Sequence, residues 1–159
     1  MSTATVPSSD VSSTTIVSQT LGELEVSPAW MLELVEPLSG FPRCHSYALV
    51  PHVPAGATNP VNGLAWLQAL DAPYHAFMVA DPWGAFPDYA PEIPDADAGR
   101  LAISAAEQAT IYVLLAVNDG QISANLRAPL VVNHAERRAK QVVLLGDTYQ
   151  ARHILTRAV

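Results

Sequence analysis

Five histidines, one cysteine and a scatter of carboxylates are the residues here that could do chemistry, and their spacing argues against most of it. His45, His52, His75, His134 and His153 form no HxH, HExxH or Cys-His pattern, whereas a transition-metal site needs ligands that converge in such a way. His134 beside Glu136 reads as an exposed loop pair. Cys44 is the only cysteine, which excludes an intrachain disulfide and a cysteine-based zinc site. It reads as a small buried apolar residue in a reducing compartment. No GxSxG, Walker-type glycine loop or GxGxxG occurs, so acyl transfer, nucleoside triphosphate hydrolysis and dinucleotide chemistry all lack their anchors. Asp81 and Asp88 could be imagined as paired hydrolytic carboxylates. Each lies beside a turn proline, where aspartate serves local hydrogen bonding. The expectation is a protein that is not an enzyme, with no catalytic residue, no metal and no cofactor.

What remains is recognition at a surface. Between Asn125 and Asn133 (NLRAPLVVN), Leu126, Ala128, Leu130 and Val132 alternate with Asn125, Arg127, Val131 and Asn133, the pattern of a half-buried strand. Pro129 has no N–H to give to a ladder, which predicts an edge strand or a bulge. Such an edge, bearing Arg127 with Asn125 and Asn133 at its ends, could pair with an extended peptide. Alternatively the asparagines satisfy turns and the proline guards the edge against aggregation. Gln141, Tyr149 and Arg152 either line the same surface or form an internal hydrogen-bonded cluster that pins the last strand.

The elements that must position these residues are mostly strands. Lys140–Leu145 is rich in β-branched valines, and His134–Ala139 has the length of a longer hairpin loop, so the two flanking runs are expected to pair. Residues 1–18, mostly Ser, Thr and small side chains, read as a disordered tail, and residues 19–159 as a single domain. LGELEV from Leu21 reads as the first strand, and Trp30–Val35 fits a strand or a helical turn. Phe41 is expected to plug the core. Ser46–Val50 is β-prone, and Gly63–Leu70 and His75–Ala80 form a hairpin around Asp71-Ala72-Pro73. FPDYAPEIP must run extended, because residues before proline avoid the helical region. Asp95–Ala106 is the helix candidate, capped by Asp95 or Asp97. Ala109–Val117 reads as a central strand buried on both faces, followed by a turn at Asn118-Asp119-Gly120. The fold class is therefore mainly β, an antiparallel or mixed barrel or sandwich with one short helix.

The net charge of −7 disfavours direct nucleic-acid binding and favours a basic protein partner. Residues 1–99 hold eleven acids against Arg43 alone, giving −10, and residues 100–159 hold seven basic residues against four acids, giving +3. No run of about 18 apolar residues occurs and the N-terminus lacks the pattern of a secretory signal. A cytoplasmic monomer without membrane contact is expected.

NLRAPLVVN, then Gln141 in KQVVL, Tyr149 and Arg152-His153, preceded by Gly40-Phe41, Trp66-Leu67-Gln68, Leu70-Asp71 to Asp81-Pro82 and Phe86-Pro87-Asp88-Tyr89, resembles the flagellar assembly factor FliW family over residues 20–155. Two departures stand out: Ala139 where the family usually has glycine, and LVEPLSGF at residues 34–41 in place of a Phe-Pro-x-Gly-Leu-Pro-Gly-Phe run. The resemblance implies a β-rich pseudobarrel that binds newly made flagellin and antagonises the RNA-binding translational repressor CsrA, so that retained flagellin frees CsrA and slows its own synthesis. On that footing, Glu23, Glu25, Glu33 and Glu36 would set negative potential beside a basic RNA-binding surface. A groove near Trp66, Tyr89 and the Asn125–Asn133 strand would cover the amphipathic ends of flagellin. The rival reading is a small-ligand-binding or enzymatic β-barrel with a deep closed pocket, and a third is a family member that keeps one partner only.

Overall fold

Proline and glycine cut the chain into short strands, and the computed structural model describes residues 13–155. The strands among the described residues are β1 (Thr14–Ser18), β2 (Gly22–Val26), β3 (Met31–Leu34), β4 (Ser46–Pro51), β5 (Leu64–Ala69), β6 (Ala76–Ala80), β7 (Thr110–Asn118), β8 (Gln121–Ala124), β9 (Leu130–Asn133), β10 (Arg138–Gln141) and β11 (His153–Ile154), and the one α-helix described is α1 (Asp95–Arg100). β3 to β7 form an antiparallel meander. β3 then pairs parallel to β10, β10 antiparallel to β9, and β9 returns to β7, closing a seven-stranded barrel. β7 outlasts the barrel: Thr110–Tyr112 pairs with β9, whereas Leu115–Asn118 pairs with β8, which in turn pairs with β11. Asp119 and Gly120, both at positive φ, make the two-residue turn between β7 and β8.

Alternation along the strands builds a core and three satellites. Tyr47, Leu49, Leu67, Val79, Leu130, Val132 and Ala139 fill the barrel. The odd man in that apolar filling is His75, stacked under Phe41 with ring centroids 3.6 Å apart and joined to the Tyr47 hydroxyl at 2.9 Å. On the outside, Ala48 and Val50 of β4 lie beneath the β1–β2 ribbon, Val113 and Ala124 beneath Phe86, Tyr89 and Tyr149, and Val131 beneath the segment carrying Leu101 and Ile103. The barrel wall is thus covered on three sides by chain that is not itself part of the barrel.

Several expectations fail, for one recurring reason. The Asn125–Asn133 stretch is not an edge strand: only Leu130–Asn133 is strand, and it pairs on both sides. All four of its residues are buried, since the α1 region covers the outer face. Pro129 is accommodated just before the ladder, where its carbonyl accepts from Val142 N–H at 2.9 Å. The second strand ends at Gln141 rather than Leu145, and the hairpin loop is four residues, with Arg137 at φ 56°. Trp30–Val35 is both things at once, a 3-10 turn ending at Trp30 and a strand from Met31. The helix stops at Arg100, and its N-cap is Pro94, with no side-chain cap from Asp95 or Asp97. Ala116–Asn118 is exposed because it lies beyond the barrel wall. The tail expected over residues 1–18 falls mostly outside the described residues, but Thr14–Ser18 is strand.

Two predictions follow from this packing. Leu130 is fully buried, so Leu130→Ala should lose about 2–5 kcal/mol, whereas Ala139→Gly, which removes one methyl from the barrel, should lose only about 1–2 kcal/mol, both read from urea denaturation. Burial holds the His75 pKa below the ordinary imidazole value of about 6.5. The unfolded chain therefore binds the proton more tightly, so this contribution to stability is complete above about pH 6.5 and is lost as the pH falls below it. The melting temperature should drop between pH 7 and 5, and His75→Phe should flatten that drop.

Candidate partner-binding surface

The proline-rich stretch from Asp81 to Pro94 is held on the barrel by a chain of aromatic hydrogen bonds. Asp81 starts it, its carboxylate accepting from Trp83 N–H at 2.9 Å. The Trp83 indole N–H then donates to the Tyr89 carbonyl at 2.8 Å, and the Tyr89 hydroxyl donates to the Leu126 carbonyl at 2.6 Å. Tyr149 completes the arrangement: its hydroxyl accepts from Ala90 N–H at 2.9 Å, and its ring meets that of Tyr89 edge-on at 4.7 Å. Burial pushes the Tyr89 phenol above its ordinary range, so it remains a donor at any physiological pH. Phe86 lies edge-on to His153 at 4.8 Å, which ties β11 to the same cluster.

Around this segment lie three adjoining hollows. One of about 420 Å³ is lined by Phe86, Asp88, Tyr89, Leu126, Tyr149 and His153. Another of about 480 Å³ runs past Ile93, Leu144 and Tyr149, and a third of about 560 Å³ lies between Tyr89, Ile93 and Ile103. A fourth of about 580 Å³, between Trp30, Val61, Asp81, Trp83 and Tyr112, meets the third at Trp83, Ala109 and Ile111. All four open to solvent. The phenols and the indole that border the three adjoining hollows are engaged within the chain, so the hollows offer aromatic and apolar walls together with the side chains of Asp88, Glu92, Asp95 and Thr148. Among the described residues no three His, Cys, Asp or Glu side chains converge on a common point.

The sequence-derived candidates scatter over this framework. Asn125 makes a turn, its side-chain oxygen accepting from Arg127 and Ala128 N–H at 3.1 and 3.0 Å. Asn133 is buried, donating to the Leu101 carbonyl at 2.8 Å and accepting from Glu136 N–H at 3.2 Å. Gln141 donates to the Ala128 carbonyl at 3.1 Å. Gln141 and Tyr149 thus each make a hydrogen bond within the chain, to different segments, and Tyr149 also lines two of the hollows, while Arg127 and Arg152 are exposed. Trp66 does not join Tyr89. It packs beneath the β1–β2 ribbon and donates to His52 Nδ1 at 3.1 Å, in a different satellite. Glu23 and Glu25 are exposed on β2, Glu33 accepts from the Ser46 hydroxyl at 3.2 Å, and Glu36 pairs with Arg100 and Lys140 at 3.3 and 3.2 Å.

The basic C-terminal part is also largely spent on the fold. Arg137 donates to the Pro28 carbonyl at 2.7 Å, Arg138 to the Arg100 carbonyl at 3.2 Å, and Lys140 pairs with Asp97 as well as Glu36. Burial works against the Lys140 charge, but the bonds to Asp97 and Glu36 outweigh it and raise the pKa. The sequence reading missed Trp83, Phe86 and His153 as parts of this surface; the signal available was the density of aromatics between Asp81 and Tyr89.

The family model described as "FliW protein" matches residues 15–155. A flagellar assembly factor FliW from Exiguobacterium sp. is 34% identical over 137 residues, covering 84% of this chain and 89% of its own length. Those from Ruminiclostridium cellulolyticum and Treponema pallidum are each 32% identical, covering 84% and 87% of this chain and 88% and 89% of their own lengths. A crystal structure of the flagellar assembly factor FliW superposes with a TM-score of 0.77 at 25% identity, covering 92% of this chain and all of that one.

The hydrogen-bond chain makes its own prediction. Tyr89→Phe leaves the buried Leu126 carbonyl without its donor and should cost about 1–3 kcal/mol in urea denaturation, whereas Arg152→Ala, at an exposed site, should stay within about 0.5 kcal/mol of the parent.

Proposed function

The chain belongs to the FliW family, and from that premise we propose that it is a flagellar assembly factor of the cytoplasm that works by occupancy, binding flagellin and, when free of it, the translational repressor CsrA. The observation that carries the flagellin half is the set of adjoining open hollows around Tyr89 and Tyr149, whose aromatic walls have their hydroxyls engaged within the chain and whose rims carry Asp88, Glu92 and Asp95. An amphipathic helix awaiting export needs its apolar face covered, and a rigid aromatic floor covers it without ordering new side chains. The groove does not include Trp66, which belongs to another face. Absence of a membrane-crossing helix among the described residues is compatible with this reading.

For CsrA the support is electrostatic. Glu23 and Glu25 project from the ribbon and, among the described residues, pair with no cation, unlike Glu36. They are the acids of the original four best placed to repel phosphate from a neighbouring basic surface. Binding would be weakened by salt, because exposed charges are screened over about 10 Å at 0.1 M.

The test separates the two halves. Phe86→Ala combined with Thr148→Arg, which places a charge in the floor of the hollow, should weaken flagellin capture at least about tenfold in titration calorimetry while the melting temperature holds within a few degrees. Unchanged flagellin affinity would remove the groove from the reading, and failure of the unaltered protein to bind either flagellin or CsrA would remove the function itself.

A further inference from the structure

The first hairpin is a separate sheet. β1 and β2 pair only with each other among the described residues, in register from Thr14 opposite Val26 to Ser18 opposite Gly22. The ribbon is amphipathic. Ile16, Ser18 and Val26 are buried and Leu24 half-buried on the face that lies on Ala48, Val50 and Trp66, while Thr15, Val17, Glu23 and Glu25 share the face turned to solvent. One backbone hydrogen bond, from Gln19 N–H to the Tyr74 carbonyl at 3.0 Å, tethers the turn to the barrel.

Among the described residues the outer edge of β1 has no strand partner, and the strand's own sequence lacks the devices that usually guard such an edge. Its sequence, TTIVS, has four β-branched residues in succession, no charge and no proline, and Val17 is 70% exposed. Edge strands of this kind are templates for another strand, and soluble proteins ordinarily blunt them with lysine, proline or a bulge. The ribbon carries a sign as well. Val17 lies opposite Glu23 and Thr15 opposite Glu25, so two carboxylates two residues apart stand one strand in from the open edge on the outward face. A strand added to β1 would run about 10 Å from β2, at two spacings of about 4.8 Å each. A lysine or arginine at alternate positions of that strand spans the gap by laying its apolar stem over Thr15 or Val17 and its charge beside Glu25 or Glu23.

We propose that β1 is a docking strand for an extended segment of a partner protein with lysine or arginine at every second residue. Main-chain hydrogen bonds along β1 supply the affinity, and the two glutamates supply the register and the preference for a basic segment. The site is distinct from the hollows around Tyr89, so it stands or falls independently of flagellin capture, and because it shares Glu23 and Glu25 with the surface proposed for CsrA, its test uses synthetic peptides rather than CsrA.

A synthetic decapeptide of alternating lysine and valine, and its glutamate-valine counterpart, are titrated into the full-length protein and followed by amide chemical shifts and hydrogen exchange. The lysine peptide should shift and protect the amides of Thr14–Ser18 and leave those around Tyr89 unchanged. It should bind at least about tenfold tighter than the glutamate peptide. Val17→Lys, at a solvent-exposed side chain, should reduce binding at least about tenfold with an unchanged melting temperature, and Glu23→Gln with Glu25→Gln about threefold to tenfold with a flatter salt dependence. Equal binding of the two peptides, binding indifferent to Val17→Lys, or shifts that avoid β1 would overturn the proposal. So would a dimer in sedimentation that Val17→Lys abolishes, since the edge would then belong to a second copy.

Discussion

The pairing of β9 with β7 is the contact on which the rest of the structure depends. Thr110, Ile111 and Tyr112 take Val132, Val131 and Leu130 as partners, and with that ladder the sheet has become a barrel. Closure leaves β9 with no free edge and, once its inner face is filled by Leu130 and Val132, requires cover for Val131 outside. The α1 region supplies that cover, and Asn133 fastens it by donating to the Leu101 carbonyl at 2.8 Å. A polar residue at the end of a strand thereby becomes a structural rivet, fully engaged with backbone on both sides.

The same economy governs the cations. Arg100, Arg137, Arg138 and Lys140 bind backbone carbonyls or the carboxylates of Glu36 and Asp97, joining the end of β3, α1 and β10. The charge asymmetry of the sequence is real, but four cations of its positive half are turned into internal fastening, while Arg127 and Arg152 stay exposed. What faces solvent as unpaired charge is mainly acidic, and Glu23 and Glu25 on the ribbon are its clearest case.

Local signals were legible in the sequence where the local chain decides the outcome. The Asn118-Asp119-Gly120 turn and the hairpin around Asp71 follow from turn chemistry, whereas FPDYAPEIP, read as extended throughout, turns at Pro87-Asp88, where Tyr89 N–H donates to the Phe86 carbonyl at 3.0 Å. The β-rich pseudobarrel implied by the family resemblance is likewise what the strands build. What misled was the inference from one strand to its surroundings. Alternation from Asn125 to Asn133 with a proline inside reads as an edge, because sequence period reports a half-buried strand without reporting what crosses its other face. The same blindness set Trp66 beside Tyr89, although the β1–β2 ribbon and the Asp81–Pro94 segment cover different clusters. Membership of a cluster is decided by closure of the sheet, a property of residue pairs far apart in the chain.

β7 is one uninterrupted nine-residue strand that serves two sheets. Its first residues are staves of the barrel, and its last are the root of an arm formed with β8 and β11, against which the aromatic floor is laid. A pleated strand hydrogen-bonded along its length behaves as a stiff rod over such a span. Load applied at the arm therefore reaches the barrel seam as torque, through covalent chain rather than through side-chain relays. The molecule is built like an oar in its lock, with blade and handle unable to turn separately.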